Sequence, residues 1–367
     1  MDGDTPEKRP SFEALHFGIR EGILGEMSVK VRKRVAALLE VLGVYLTGSF
    51  LTARVADLLV RWHLVSAQNP FDLLSAHTTN SELLVASQQM FLRLMIRYGS
   101  YFVLIIPIGY WYRRSGPATY GVTRAGRSWN ALILAGLGTA CLTQWPVLVH
   151  TLVDAVHPLG AMAPWRQAFF DMSWRRWQFW LFAGIMSYAL VSILEELLFR
   201  GYYQRRLAED WGDGPAVIGT ACFFTFAHKQ YLIANAYNVT MVVSLFCMAI
   251  GLGIIFAWTR SLVPSIIAHA LINIPMRPFW QGVLLVAFVI GVCFAWRGGI
   301  KALAVFRNAR FVTCVLLVLL QTAYVIGDGL IPGLTYLAMA MLLMALVLEA
   351  IDHDKVPNIR QTGSGDG

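Results

Sequence analysis

Charge is what this chain has least of. Only 14% of its 367 residues are charged, 57% are hydrophobic, and the mean hydropathy is +0.56. A soluble protein of this length would have to bury many long apolar segments in one core, so the composition points to a polytopic membrane protein. Cysteine is also scarce. The five present (Cys141, Cys222, Cys247, Cys293 and Cys314) are scattered through apolar segments without metal-ligand spacing. This pattern excludes a disulfide framework and reads as small apolar packing. Residues 1–34 contain no apolar h-region, so no cleavable signal peptide is expected and the first span serves as the signal. No loop gathers basic and aromatic residues into a face for nucleic acid. No inverted repeat of the transporter kind is visible. There is no His-Glu-x-x-His motif, and no cofactor is implied.

What the chain does have is a series of apolar segments separated by short polar loops. Spans are expected at 35–60, 91–112, 128–153, 177–210, 215–233, 240–258, 279–296, 310–327 and 331–350, with a shorter helix at 262–275. That gives an all-α helical bundle of eight to ten membrane segments, each full span needing about 20 residues. The stretch 157–177, rich in Trp, Phe and Pro, reads as an outer amphipathic helix at the interface. Lys30-Val31-Arg32-Lys33-Arg34, Arg113-Arg114 with Arg124 and Arg127, and Arg297 with Lys301, Arg307 and Arg310 mark alternate loops as basic. The positive-inside rule then puts both termini in the cytoplasm. Only six of the 30 basic residues are lysine. With the abundant Trp, this suggests a bacterial inner membrane. The organisation is a charged tail (1–34), N-terminal membrane segments (35–176), a core (177–278), C-terminal segments (279–350) and a disordered tail (351–367).

The core carries the chemistry. Glu195 and Glu196 stand side by side in an apolar stretch that runs into Arg200. A charge near the bilayer centre costs at least about 2.5–3.5 kcal/mol and persists when it is paired or functional. Glu196 and Arg200 are four apart and share a helical face, so they are expected to pair. Glu195 is rotated about 100° away and is left as the base candidate. The turn Trp211-Gly212-Asp213-Gly214-Pro215 is flanked at equal distances by Glu196 and His228. In a hairpin, both would lie about 20 Å from the loop, with one water between Glu195 and His228. His269 and Asn273 are again four apart, about 12–18 Å along a helix entered from the turn at 259–261. A buried carboxylate can accept a proton from water, an imidazole can orient that water, and a second His with an Asn amide can donate to an oxyanion.

Three motifs, Glu-Glu-x-x-x-Arg at 195–200, Phe-x-x-x-His at 224–228 and His-x-x-x-Asn at 269–273, resemble those of the CAAX protease and bacteriocin-processing (CPBP, or Abi) family. The run Trp258 to His269 is also typical of that family. The resemblance covers roughly residues 180–275. It implies a glutamate-dependent intramembrane endopeptidase, related to the type II CAAX prenyl proteases. Its substrate would be a membrane-associated protein or peptide, prenylated or a peptide precursor. Glu195 and His228 would activate water, with Glu196 beside them in the catalytic set. His269 and Asn273 would form the oxyanion hole, and Arg200 would orient the site. Other readings of the same residues are a non-catalytic scaffold or immunity protein of this fold and a proton-coupled transporter. A further reading is zinc held by Glu195, His228 and His269.

Overall fold

A computed structural model describes residues 29–144, 164–228, 236–276 and 279–290, together with Tyr231; positions 69, 71–73, 76, 277–278 and 288 are not described. The described residues form helices and the turns between them, with no strand among them. Helix α1 (Val29–Arg61) has no glycine or proline pair to break it, and its basic start forms the first turns. It buries Arg34, Ala37, Leu38, Val41, Val44, Tyr45 and Gly48, a three-and-four spacing that makes one continuous stripe. Leu39, Leu46 and Phe50 point outward, as expected of a helix whose surroundings are lipid.

Helix α2 (Asn80–Tyr112) begins eleven residues before the expected position 91. Its start is fixed by a capping box: the Thr79 hydroxyl accepts from the Glu82 N–H at 3.3 Å, and Glu82 accepts from the Thr79 N–H at 2.7 Å. The added polar turns hold the preceding loop. Gln89 accepts from the Ser66 N–H at 2.9 Å, and Arg93 donates to the Ser66 carbonyl at 2.7 Å. α1 also starts at Val29, earlier than the expected 35.

The two helices meet where Gly48 lies under the ring of Tyr101, whose hydroxyl is 2.8 Å from Ser49 Oγ. A Cβ on residue 48 would sit inside that ring. Gly48→Leu improves helix propensity, so any net loss of stability must come from the overlap. We expect a loss of about 3 kcal/mol, near the upper end for overpacking, read as a lower thermal midpoint in detergent. An unchanged midpoint would contradict this packing.

Helix α3 (Trp129–Leu142) is capped by Ser128. Helix α4 (Pro164–Arg175) opens on a proline and packs Ala168, Phe169 and Met172 against Leu83, Met90, Phe179 and Tyr188. The interfacial helix expected at 157–177 is therefore seated on the bundle from residue 164 onward; residues 157–163 lie outside the described residues.

Helices α5 (Trp177–Gly184) and α6 (Met186–Trp211) form one broken element bent by 41°. Three wide turns with i→i+5 hydrogen bonds, Trp180–Gly184, Met186–Leu190 and Leu197–Gln204, interrupt it, and the last begins at the Glu-Glu pair. Such turns are rare and gather at functional sites. Gly212, at φ 87°, makes the expected turn into α7 (Asp213–Phe226). Helices α8 (Ala236–Thr259) and α9 (Leu262–Asn273) follow. The turn between them is closed by the Arg260–Asp213 ion pair at 2.6 Å and by Ser261 capping Val263 at 3.3 Å. Gly136 of α3 lets α9 approach closely: a Cβ there would be 2.9 Å from Pro264 O and from Ile267.

Among the described residues, three helices are long and apolar enough to cross a bilayer, or four if the bent pair counts as one span. α3 and α9 are shorter apolar helices. The spans expected at 310–327 and 331–350, and the tails at 1–28 and 351–367, lie outside the described residues. At one end of the bundle, basic residues are tied across helices. Arg34 donates to the Asp210 carbonyl at 3.1 Å, Arg206 pairs with Glu40 at 2.7 Å, and Arg113 pairs with Glu209. An all-helical integral membrane protein is the fold these elements make.

Candidate active site

The site is assembled where α6, α7 and α9 meet, with α2 alongside. α6 turns Glu195 and Glu196 to different neighbours, as the 100° rotation requires. Glu196 Oε1 accepts from Arg200 Nη1 at 2.8 Å and from His269 Nδ1 at 2.8 Å. Glu196 and Arg200 are both 0% exposed. Burying this pair is tolerable because the guanidinium is otherwise occupied. Its Nη2 donates to the Ala249 carbonyl at 3.0 Å, and its carbon lies 4.8 Å from the Phe224 ring centroid.

Glu195 faces the other way. Its Oε1 accepts from the Tyr98 hydroxyl at 2.6 Å. Its Oε2 is buried without a hydrogen-bond partner, 3.7 Å from His269 Nε2 and 4.0 Å from His228 Nε2. These separations are too long for direct hydrogen bonds.

The tautomers follow from the partners. His228 Nδ1 lies 2.8 Å from the Phe224 carbonyl, which can only accept. Nδ1 therefore carries the hydrogen, and the neutral ring presents the Nε2 lone pair to the gap. His269 Nδ1 donates to Glu196 by the same reasoning, so its Nε2 becomes a donor only in the imidazolium. Asn273 Nδ2 donates to Ser192 Oγ at 3.2 Å, and Ser192 in turn donates to the Tyr188 carbonyl at 2.5 Å. One amide hydrogen of Asn273 remains for another acceptor.

Glu195, Glu196, Arg200, His228 and His269 are thus brought together, and Asn273 stands one helical turn beyond His269. One placement differs from expectation. The span read as 215–233 ends as a helix at Phe226, so His228 sits just beyond the last turn rather than inside it. Its backbone N–H still closes on Thr225 O at 3.0 Å, and its ring lies tilted against Phe224 with centroids 4.6 Å apart. The phenylalanine four residues earlier therefore orients it.

Sequence reasoning missed Tyr98, Arg97 and Ser192. Arg93 and Arg97, four apart in an apolar span, were the available signal for α2.

The membrane bundle thus encloses two carboxylates and two imidazoles together. Residues 176–275 match the family model of the Rce1-like type II CAAX prenyl endopeptidases, a segment that contains all three motifs. The resemblance to the CAAX protease family therefore holds over this segment, at the level of the family. Comparisons with curated proteins and with solved structures give no match.

Proposed function

We propose that this protein is an intramembrane endopeptidase in which Glu195 and His228 activate a water molecule for attack on a peptide carbonyl. The observation that carries this reading is Glu195 Oε2, buried, without a hydrogen bond and facing two imidazole Nε2 atoms within 4.0 Å. A water in that gap gives its proton to Glu195 as its oxygen bonds to the carbonyl carbon. The carbonyl electrons move onto oxygen, where Asn273 Nδ2 and the His269 imidazolium donate hydrogen bonds. Glu196 balances the His269 charge, and Arg200 holds Glu196 in place. The proton on Glu195 then passes to the leaving amine, and the C–N bond breaks. Every step stays with water, so no covalent intermediate forms. The cleaved bond would lie near the cytoplasmic membrane face, on a substrate that is prenylated or a peptide precursor.

The test is cleavage of a panel of prenylated and unmodified membrane-anchored peptides by the purified protein in detergent. Cleavage that survives strong chelators supports the reading; a loss restored by zinc would assign Glu195, His228 and His269 to a metal instead. No cleavage by a folded protein would favour the scaffold or transporter readings. His269→Ala should lower kcat by about 100- to 1,000-fold with little change in KM, since its donor acts on the oxyanion. A raised KM at unchanged kcat would contradict that role.

A further inference from the structure

The family match begins at residue 176, yet the closest hydrogen bond to Glu195 comes from far outside it. Tyr98 on α2 is 1% exposed and donates its hydroxyl to Glu195 Oε1 at 2.6 Å. The preceding residue, Arg97, lays its guanidinium 5.5 Å from the Tyr98 ring centroid and donates to the Ala227 carbonyl at 3.3 Å. Ala227 directly precedes His228. Two adjacent residues on one helix thus hold both members of the water-activating pair. Tyr98 fixes the carboxylate, and Arg97 fixes the turn that presents the imidazole.

We infer that Arg97 and Tyr98 are positioning residues that set the gap between Glu195 Oε2 and His228 Nε2, making α2 part of the catalytic unit. This inference rests on the proposed peptidase reading. A carboxylate has two equivalent oxygens and can rotate about its terminal bond. With Oε1 tied to Tyr98, Oε2 is the oxygen left to face the histidines. The short, charge-assisted O–H···O bond is strong enough to select that orientation. Arg97 acts at the other side of the gap. A cation at the end of α7 satisfies a terminal carbonyl that the helix cannot bond itself, and so stiffens the turn on which His228 rides. One turn along α2, the Tyr101 hydroxyl lies 2.8 Å from Ser49 Oγ of α1. α2 is therefore braced against α1 rather than free to move with the site.

The experiment uses the full chain in detergent with a peptide that the wild type cleaves. Tyr98→Phe keeps the ring and its contact with Arg97 and removes only the hydroxyl. kcat should fall about 10–100-fold, the loss typical when an orienting partner is removed, with KM within about twofold and only the modest drop in thermal midpoint that one lost buried hydrogen bond brings. Arg97→Gln should lower kcat in the same way. The double variant should lose less than the product of the two, because both act on one gap. Wild-type kcat in Tyr98→Phe, or a joint fall in stability, kcat and affinity, would overturn the inference. If the wild type cleaves none of the peptides, the peptidase reading fails on its own. Thermal unfolding of Tyr98→Phe, Glu195→Gln and the double variant then decides: non-additive shifts support the positioning bond, and additive shifts overturn it.

Discussion

Glu195→Gln should abolish peptide cleavage while leaving the protein folded. The amide has the shape of the carboxylate, and its oxygen still accepts from the Tyr98 hydroxyl, which lies 2.6 Å from Oε1. What is lost is the second oxygen. In its place stands an NH2 group that can only donate and cannot take a proton from water. A positioned general base contributes about 100- to 10,000-fold, so kcat should fall by that factor. The thermal midpoint should hold or rise slightly, because Oε2 has no hydrogen bond to lose and removing a buried charge is favourable. Full activity in this variant would remove Glu195 from the base role. Loss of activity with loss of folding would leave the residue structural.

Arg200→Met should be among the most destabilising single changes in the chain. The guanidinium is 0% exposed and bridges Glu196, the Ala249 carbonyl and the Phe224 ring. Methionine fills the space but leaves Glu196, also 0% exposed, with a charge and only His269 to answer it. Breaking a buried ion pair by removing one partner costs about 3–5 kcal/mol, whereas replacing both partners with apolar or neutral groups is often close to neutral. The double variant Arg200→Met with Glu196→Gln should therefore recover most of the stability lost by Arg200→Met alone. Thermal or denaturant unfolding in detergent measures both. A single-variant loss below about 1 kcal/mol, or strictly additive behaviour, would mean that the pair does not hold the site as described.

These two residues were legible in the sequence because their geometry is local. Glu196 and Arg200 are four apart, and the roles of Glu195 and Glu196 divide by one step of helical rotation. The Gly212 turn and the turn at 259–261 were equally local, which is why α7 and α9 enter the site from the expected ends. The His228 position was less legible. Ala227, His228, Lys229, Gln230 and Tyr231 contain no glycine or proline, so nothing in the pattern stopped the helix at Phe226. The start of α2 was missed for the opposite reason. The capping box at Thr79 and Glu82 was present, but Ser81, Ser87, Gln88 and Gln89 lowered the hydropathy of its first turns. Tyr98 was out of reach altogether. Its partner is 97 residues away, and no periodicity encodes a contact between two helices at that separation.

The measurement that bears most directly on the account is the intact mass of the protein quenched during cleavage of a membrane-anchored peptide in 18O-water. One solvent oxygen is expected in the new carboxyl group, with a protein of unchanged mass, because water attacks the carbonyl carbon directly. A protein carrying the added mass of the peptide's N-terminal fragment would show a side chain as the nucleophile and would contradict it.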